Sequence, residues 1–165
     1  MNRGFGVVGS GFRVLGLRVL GFSVVGLVAL IFAAGVSGQA PSRETAARAP
    51  IDAFFKAFNA RDNEALKQTL HYPHVRINES GSVNVWKDAA EAGTNFDGLT
   101  RSEGWARSSL DSVTMRQNDP VKVHFEVVFS RYKADGTKYA TYQSLWIVTL
   151  KDGKWGVQAR SSFAP

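Results

Sequence analysis

Residues 120–164 read PVKVHFEVVFSRYKADGTKYATYQSLWIVTLKDGKWGVQARSSFA, and this stretch decides the fold. Apolar and polar residues alternate through it, the pattern of half-buried strands. Two pairs, Asp135-Gly136 and Asp152-Gly153, interrupt the alternation. Asp-Gly between alternating runs is the strongest short-range hairpin signal. Three antiparallel strands follow. With each pair taken as a two-residue loop, the cross-strand rows are set: Phe125–Trp146–Ala159, Phe129–Tyr142–Phe163 and Glu126–Leu145–Arg160.

One face of this sheet carries Val123, Phe125, Val127, Phe129, Tyr142, Ser144, Trp146, Val148, Trp155, Val157, Ala159, Ser161 and Phe163. It is almost wholly apolar and must be covered by another layer. Tyr142, Ser144 and Ser161 are its polar atoms. The other face carries His124, Glu126, Ser130, Gln143, Leu145, Ile147, Gln158 and Arg160. A slip of one residue would mix the two sets, because side chains alternate with period two. The clean segregation supports the register. Leu145 and Ile147 among polar neighbours mark the mixed face as a contact between two copies, through Glu126, Gln143, Leu145, Ile147 and Arg160. Glu126 and Arg160 read there as an ion pair.

Upstream, Ala47, Ile51, Phe54, Phe55 and Phe58 fall on one stripe of an amphipathic helix. Pro50 suits its first turn or a kink in a longer helix. Asp62 caps a second, shorter helix carrying Leu66 and Leu70, which Tyr72-Pro73 stops. Residues 74–79 and 82–87 form a hairpin around Ser80-Gly81, with Val75 and Ile77 opposite Val85 and Val83, and His74 opposite Trp86. Asp88-Ala-Ala-Glu91 is a capping box for a third helix. Phe96 and Leu99 follow in irregular chain. Trp105 to Gln117 is a strand whose phase shifts between Leu110 and Val113, as at a bulge.

The chain has 165 residues, 44% hydrophobic and 21% charged, with a formal net charge of +6. That is one globular domain plus a leader. Arg3, Arg13 and Arg18 are the only charged residues of the first forty, so the remaining 125 residues carry a mild net +3. No basic stripe of the kind that tracks nucleic acid is present. Cysteine is absent, so disulfides and thiolate chemistry are excluded. Residues 1–40 run basic, then apolar from Val19 to Val36, then small, which is the layout of a secretory signal. Cleavage after Gly38 or Ala40 gives an exported domain, residues 41–165, periplasmic or secreted. The alternatives are an uncleaved membrane anchor, or a downstream start that leaves the protein cytoplasmic. Gly4-Phe-Gly6-Val-Val-Gly9 matches a dinucleotide fingerprint but has no strand before it and carries no mechanism.

Two segments carry a resemblance. One is Ile51-Asp-Ala-Phe-Phe-Lys-Ala-Phe-Asn-Ala-Arg-Asp62. The other is Tyr142-Gln-Ser-Leu-Trp-Ile-Val-Thr-Leu150 with Asp152-Gly-Lys-Trp-Gly-Val157. In this element order the chain resembles the nuclear transport factor 2-like superfamily, over roughly residues 44–164. That superfamily includes ketosteroid isomerase and SnoaL-like polyketide cyclases. The resemblance implies an α+β fold: a cone of curved antiparallel sheet packed on N-terminal helices. It implies a ligand pocket inside the cone and a dimer through the outer sheet face. The isomerases and cyclases place an acid where His74 stands here, and a histidine is a general base near neutral pH.

His74 is therefore the candidate catalytic residue. Phe54, Phe58, Trp86, Trp105, Tyr142, Ser144 and Ser161 are the candidate ligand-binding residues. His71, His74 and His124 lack metal-ligand spacing, and no metal or cofactor is expected. Asn78-Glu79-Ser80 is a glycosylation sequon. Three functions fit: an exported protein binding an apolar small molecule, an isomerase, dehydratase or cyclase with His74 as base, and an interaction module.

Overall fold

The apolar stripe folds into helix α1 (Arg43–Asn59) of the computed structural model, which describes residues 42–165. The leader and its cleavage points lie outside the described residues. Ser42 caps α1, its Oγ accepting from the Thr45 N–H at 3.2 Å. Pro50 sits inside the helix and is buried. Asp62 caps α2 (Asn63–Lys67) by accepting from the Ala65 N–H at 2.9 Å. Then come β1 (Leu70–Ile77), β2 (Val83–Trp86), α3 (Phe96–Glu103), β3 (Arg107–Asp119), β4 (Lys122–Tyr132), β5 (Lys138–Lys151) and β6 (Lys154–Ser162).

The six strands make one curved sheet in the order β2-β1-β6-β5-β4-β3. Only the β1–β6 pair is parallel. Helix α1 covers the apolar face, as that face requires. Phe54 meets the Trp146 ring edge-on at 5.0 Å, and Phe55 lies 5.5 Å from Phe129. Phe54, Phe55, Phe125 and Trp146 are all buried. Each such ring contributes about 1.5–3 kcal/mol through burial.

The small hairpin pairs as the alternation dictates: His74 with Trp86, Val75 with Val85, Arg76 with Asn84, Ile77 with Val83. Strand β3 shifts register between Leu110 and Ser112, where the phase change predicts a bulge. Elsewhere the structure departs from expectation. Leu70 opens β1 rather than closing α2, and Pro73 lies within that strand. Asp88 accepts from the Ala90 and Glu91 N–H groups, but Glu91 accepts from the Lys87 N–H rather than from that of Asp88, and only a turn follows. The third helix is α3 instead, in the stretch that reads as irregular. Asn95 caps it by accepting from the Gly98 N–H at 2.8 Å. A Cβ on Gly98 would meet the Asn95 side chain and force this cap to shift, which favours glycine there although it is a poor helix former.

The first long hairpin keeps its expected register from Lys122 to Arg131, then shifts, so Asp135-Gly136 sits in a loop wider than two residues. The second has the tight Asp152-Gly153 turn, both residues at positive φ. Val148 pairs with Val157, as expected. A bulge then intervenes. Beyond it Ile147 pairs with Ala159, Trp146 with Arg160 and Ser144 with Ser162. The phase of β6 is thereby reversed over its last third. Ser161 and Phe163 turn outward and are exposed, Phe163 at 71%. The inner rows are therefore Phe125–Trp146–Arg160 and its neighbours, not those ending on Ala159 and Phe163.

The bulge sits beside Pro73, whose region of β1 loses register with β6 between Leu70 and Val75. Proline has no N–H to give a ladder and belongs at such irregularities. The Gln158 side-chain amide donates to the Pro73 carbonyl, placing the extra residue of β6 beside the break.

Candidate functional site

A cavity of about 380 Å³ opens between α1, α3 and the inner sheet face. Phe54, Phe55 and Phe58 reach it from one side of α1, and Trp146, Phe129 and Trp86 from the sheet. Its charged lining is Arg76, Arg131, Arg160 and Glu103. The arginines arrive by simple strand alternation or by the β6 bulge, and Glu103 from the last turn of α3. Arg76 lies two residues beyond His74 on β1, and Arg131 two beyond Phe129 on β4. Arg160 enters only because the bulge turns it inward.

Arg160 is held on three sides. Its guanidinium lies 4.6 Å from the Phe54 ring centre and 5.3 Å from that of Trp146. Its Nε donates to His74 Nε2 at 3.2 Å. That bond makes His74 a neutral acceptor at Nε2, so Nδ1 carries the proton and donates to the Val157 carbonyl at 3.0 Å. The imidazole also stacks on Trp86, with 5.4 Å between ring centres, and is wholly buried. Burial, with the adjacent Arg160 charge, pushes its pKa down to about 3. Burial and the Arg76 charge press Arg160 down to about 9, which leaves it cationic at neutral pH. Arg76 is likewise lowered, by burial and by Arg131.

Arg131 has its counter-ion in the cavity wall. Its Nη1 donates to both Glu103 oxygens, at 2.8 and 2.6 Å, and Tyr139 Oη donates to Glu103 at 2.8 Å. Arg131 also lies 5.1 Å from the Tyr142 ring centre. Burial and this acceptor raise the Tyr139 pKa well above its ordinary value.

The structure brings Phe54, Phe58, Trp86 and Ser144 to the cavity. The Ser144 hydroxyl is spent there: it accepts from Trp146 Nε1 and donates to the Ser161 carbonyl, each at 2.8 Å. Trp105 is core, fully buried, with its Nε1 donating to Ser108 at 3.0 Å. Tyr142 packs on Phe129 behind Arg131, away from the lining. Ser161 faces outward. His74 stands behind Arg160, and neither ring nitrogen is open to a ligand. Glu126 pairs with Arg116 at 2.7 Å rather than with Arg160, which has left that face.

Arg76, Arg131 and Glu103 complete the site without having been singled out by sequence. Alternation alone places the first two on the inner face, in phase with His74 and Phe129. Nothing local signals Glu103, because α3 is not legible. Among the described residues no group of three or more His, Cys, Asp or Glu is placed to hold a metal. Among them, too, no helix is long and apolar enough to cross a membrane.

Solved structures share this architecture. A protein of unknown function with a cystatin-like fold from Nostoc punctiforme is 13% identical, with a TM-score of 0.60 over 74% of this chain and 90% of its own. An NTF2-like protein with a cystatin-like fold from Novosphingobium aromaticivorans is also 13% identical, with a TM-score of 0.59 over 73% and 80%. An uncharacterized protein with a cystatin-like fold from Caulobacter vibrioides is 16% identical, with a TM-score of 0.55 over 73% and 87%. At such identity these likenesses speak for the fold alone. No curated protein matches the chain. The family model of NTF2-like proteins designated DUF6841 matches residues 43–162, and with its cone of sheet over α1 the chain belongs to that family.

Proposed function

We propose that the cone is a binding site for a small, largely apolar molecule. The observation that carries this reading is the cavity of about 380 Å³ walled by Phe54, Phe55, Phe58 and Trp146. Ligand pockets run from about 300 to 1,000 Å³ and are lined mainly by apolar and aromatic groups with a few placed polar ones. The basic-then-apolar leader supports binding outside the cytoplasm, after export. A general base must reach the proton it removes. His74, with both nitrogens engaged behind Arg160, gives the isomerase or cyclase reading no such group.

The neutral dye N-phenyl-1-naphthylamine tests the cavity directly. Its fluorescence should rise saturably with one site per chain. Ser162→Trp, which fills the cavity from the end of β6, should abolish that rise. A wild-type protein that never saturates with the dye would sink the reading.

A second proposal concerns the outer face. Leu145 is 45% exposed there, beside Glu126, Gln143 and Ile147. We propose that two copies pair across it, with Arg160 excluded from the contact. Sedimentation should find a dimer that Leu145→Glu converts to monomer; a wild-type monomer at high protein concentration would refute it.

A further inference from the structure

We infer that the ligand of this cavity carries a carboxylate and that Arg160, seconded by Arg76, is its anchor. The inference rests on the binding reading above and adds the chemistry of the head group.

Arg76 and Arg160 are direct neighbours across the β1–β6 ladder. Like charges opposite one another destabilise a sheet, and burial among aromatic rings raises the cost. Among the described residues, no Asp or Glu pairs with either, while Arg76 Nη2 donates to an oxygen of the terminal residue Pro165 at 2.6 Å. Glu103, the acid of the cavity wall, is already shared between Arg131 and Tyr139. Arg160, half-buried, therefore faces the cavity with no acidic side chain beside it. An anion there would offset its charge and the repulsion from Arg76.

The geometry narrows the anion further. His74 takes the Nε–H of Arg160, and Phe54 and Trp146 lie against its guanidinium. The two terminal amino groups have no acceptor among the described residues, and Arg160 lines the cavity. A planar fork of two N–H donors matches a carboxylate in bidentate fashion. Arg76 adds charge from the side, with its Nη2 donating to the Ala164 carbonyl at 3.4 Å and to a terminal oxygen of Pro165 at 2.6 Å. A guanidinium fork also takes phosphate, but phosphate sites commonly add backbone amides at a free helix N-terminus. In α3 the Gly98 amide is already satisfied by Asn95. The aromatic walls then take the apolar body of the acid. His74 is a positioning residue: it aims the guanidinium and touches no ligand.

The test is titration calorimetry with four probes on one skeleton: 2-naphthoate, 2-naphthamide, 2-methylnaphthalene and 2-naphthyl phosphate. Naphthoate should bind at least about tenfold more tightly than the isosteric amide, the worth of a charged over a neutral hydrogen bond. Arg160→Met should remove that advantage and bring the two affinities together, and Arg76→Met should reduce it. The wild-type comparison stands even if a variant fails to fold. Equal affinity for naphthoate and amide would overturn the carboxylate while leaving the pocket intact. Tighter binding of the phosphate would overturn the assignment of the head group. Failure of all four probes, with no saturable response to the neutral dye, would remove the binding reading itself.

Discussion

Replacing Glu103 with alanine should destabilise the protein by about 3–5 kcal/mol, the usual cost of stranding one member of a buried ion pair. Only 6% of the Arg131 side chain and 17% of the Glu103 side chain are exposed. Arg131 Nε already lacks a hydrogen-bond partner. Without Glu103 its charge would stand uncompensated in the same cavity wall as Arg76 and Arg160, and Tyr139 would lose its acceptor. Coulomb repulsion and desolvation then act together. Urea denaturation at neutral pH measures the loss. The double variant Glu103→Ala/Arg131→Met should recover most of it, because removing both charges removes the desolvation cost as well. A single variant within about 0.5 kcal/mol of wild type, as at an ordinary surface position, would contradict this account.

Acidification should destabilise the fold through His74. Its pKa is 6.5 when unfolded and about 3 in the folded protein, lowered first by burial and then by Arg160. Between those values the unfolded chain binds the extra proton, so stability is full above pH 6.5 and falls as the pH drops towards 3. By pH 5 the loss is about 2 kcal/mol, and the limit is on the order of 4–5 kcal/mol. The sign follows from the hydrogen bonds: a protonated Nε2 would point a proton at the Nε–H of Arg160. His71 is also lowered, by burial and by Lys151, and acts in the same direction. Comparing urea denaturation at pH 7.5 and pH 5 for wild type, His74→Asn and His71→Asn separates the two. His74→Asn should lose about 2 kcal/mol of the pH dependence. A wild type equally stable at both pH values would refute the assignment. An imidazole that titrates near 6.5 by NMR would refute it independently of any variant.

Both results depend on features with different legibility in sequence. The α1 stripe, the Asp62 cap, the small hairpin and most of the long-hairpin register follow from local rules. Period, capping chemistry and turn residues act over a few residues and are visible without a partner. Helix α3 is not, because Gly98 argues against a helix locally. Its cap, Asn95, and its left-handed stop, Gly104, are there to be read, but they bracket a stretch of weak propensity. Glu103 is lost with it.

Sequence by itself determined an apolar sheet face, a Phe-rich helix to cover it and a mixed outer face. It also determined the compartment of His74, opposite Trp86, though not its role. Only the tertiary structure decided what lies at the centre of the cavity. Alternation carried past Val157 puts Arg160 outside and Ser161 inside, and the fold reverses both. The reversal sits where Gln158 meets Pro73 across 85 positions of chain. A missing N–H on one strand becomes a bulge on its neighbour only when the two are paired, and no local pattern in β6 records it.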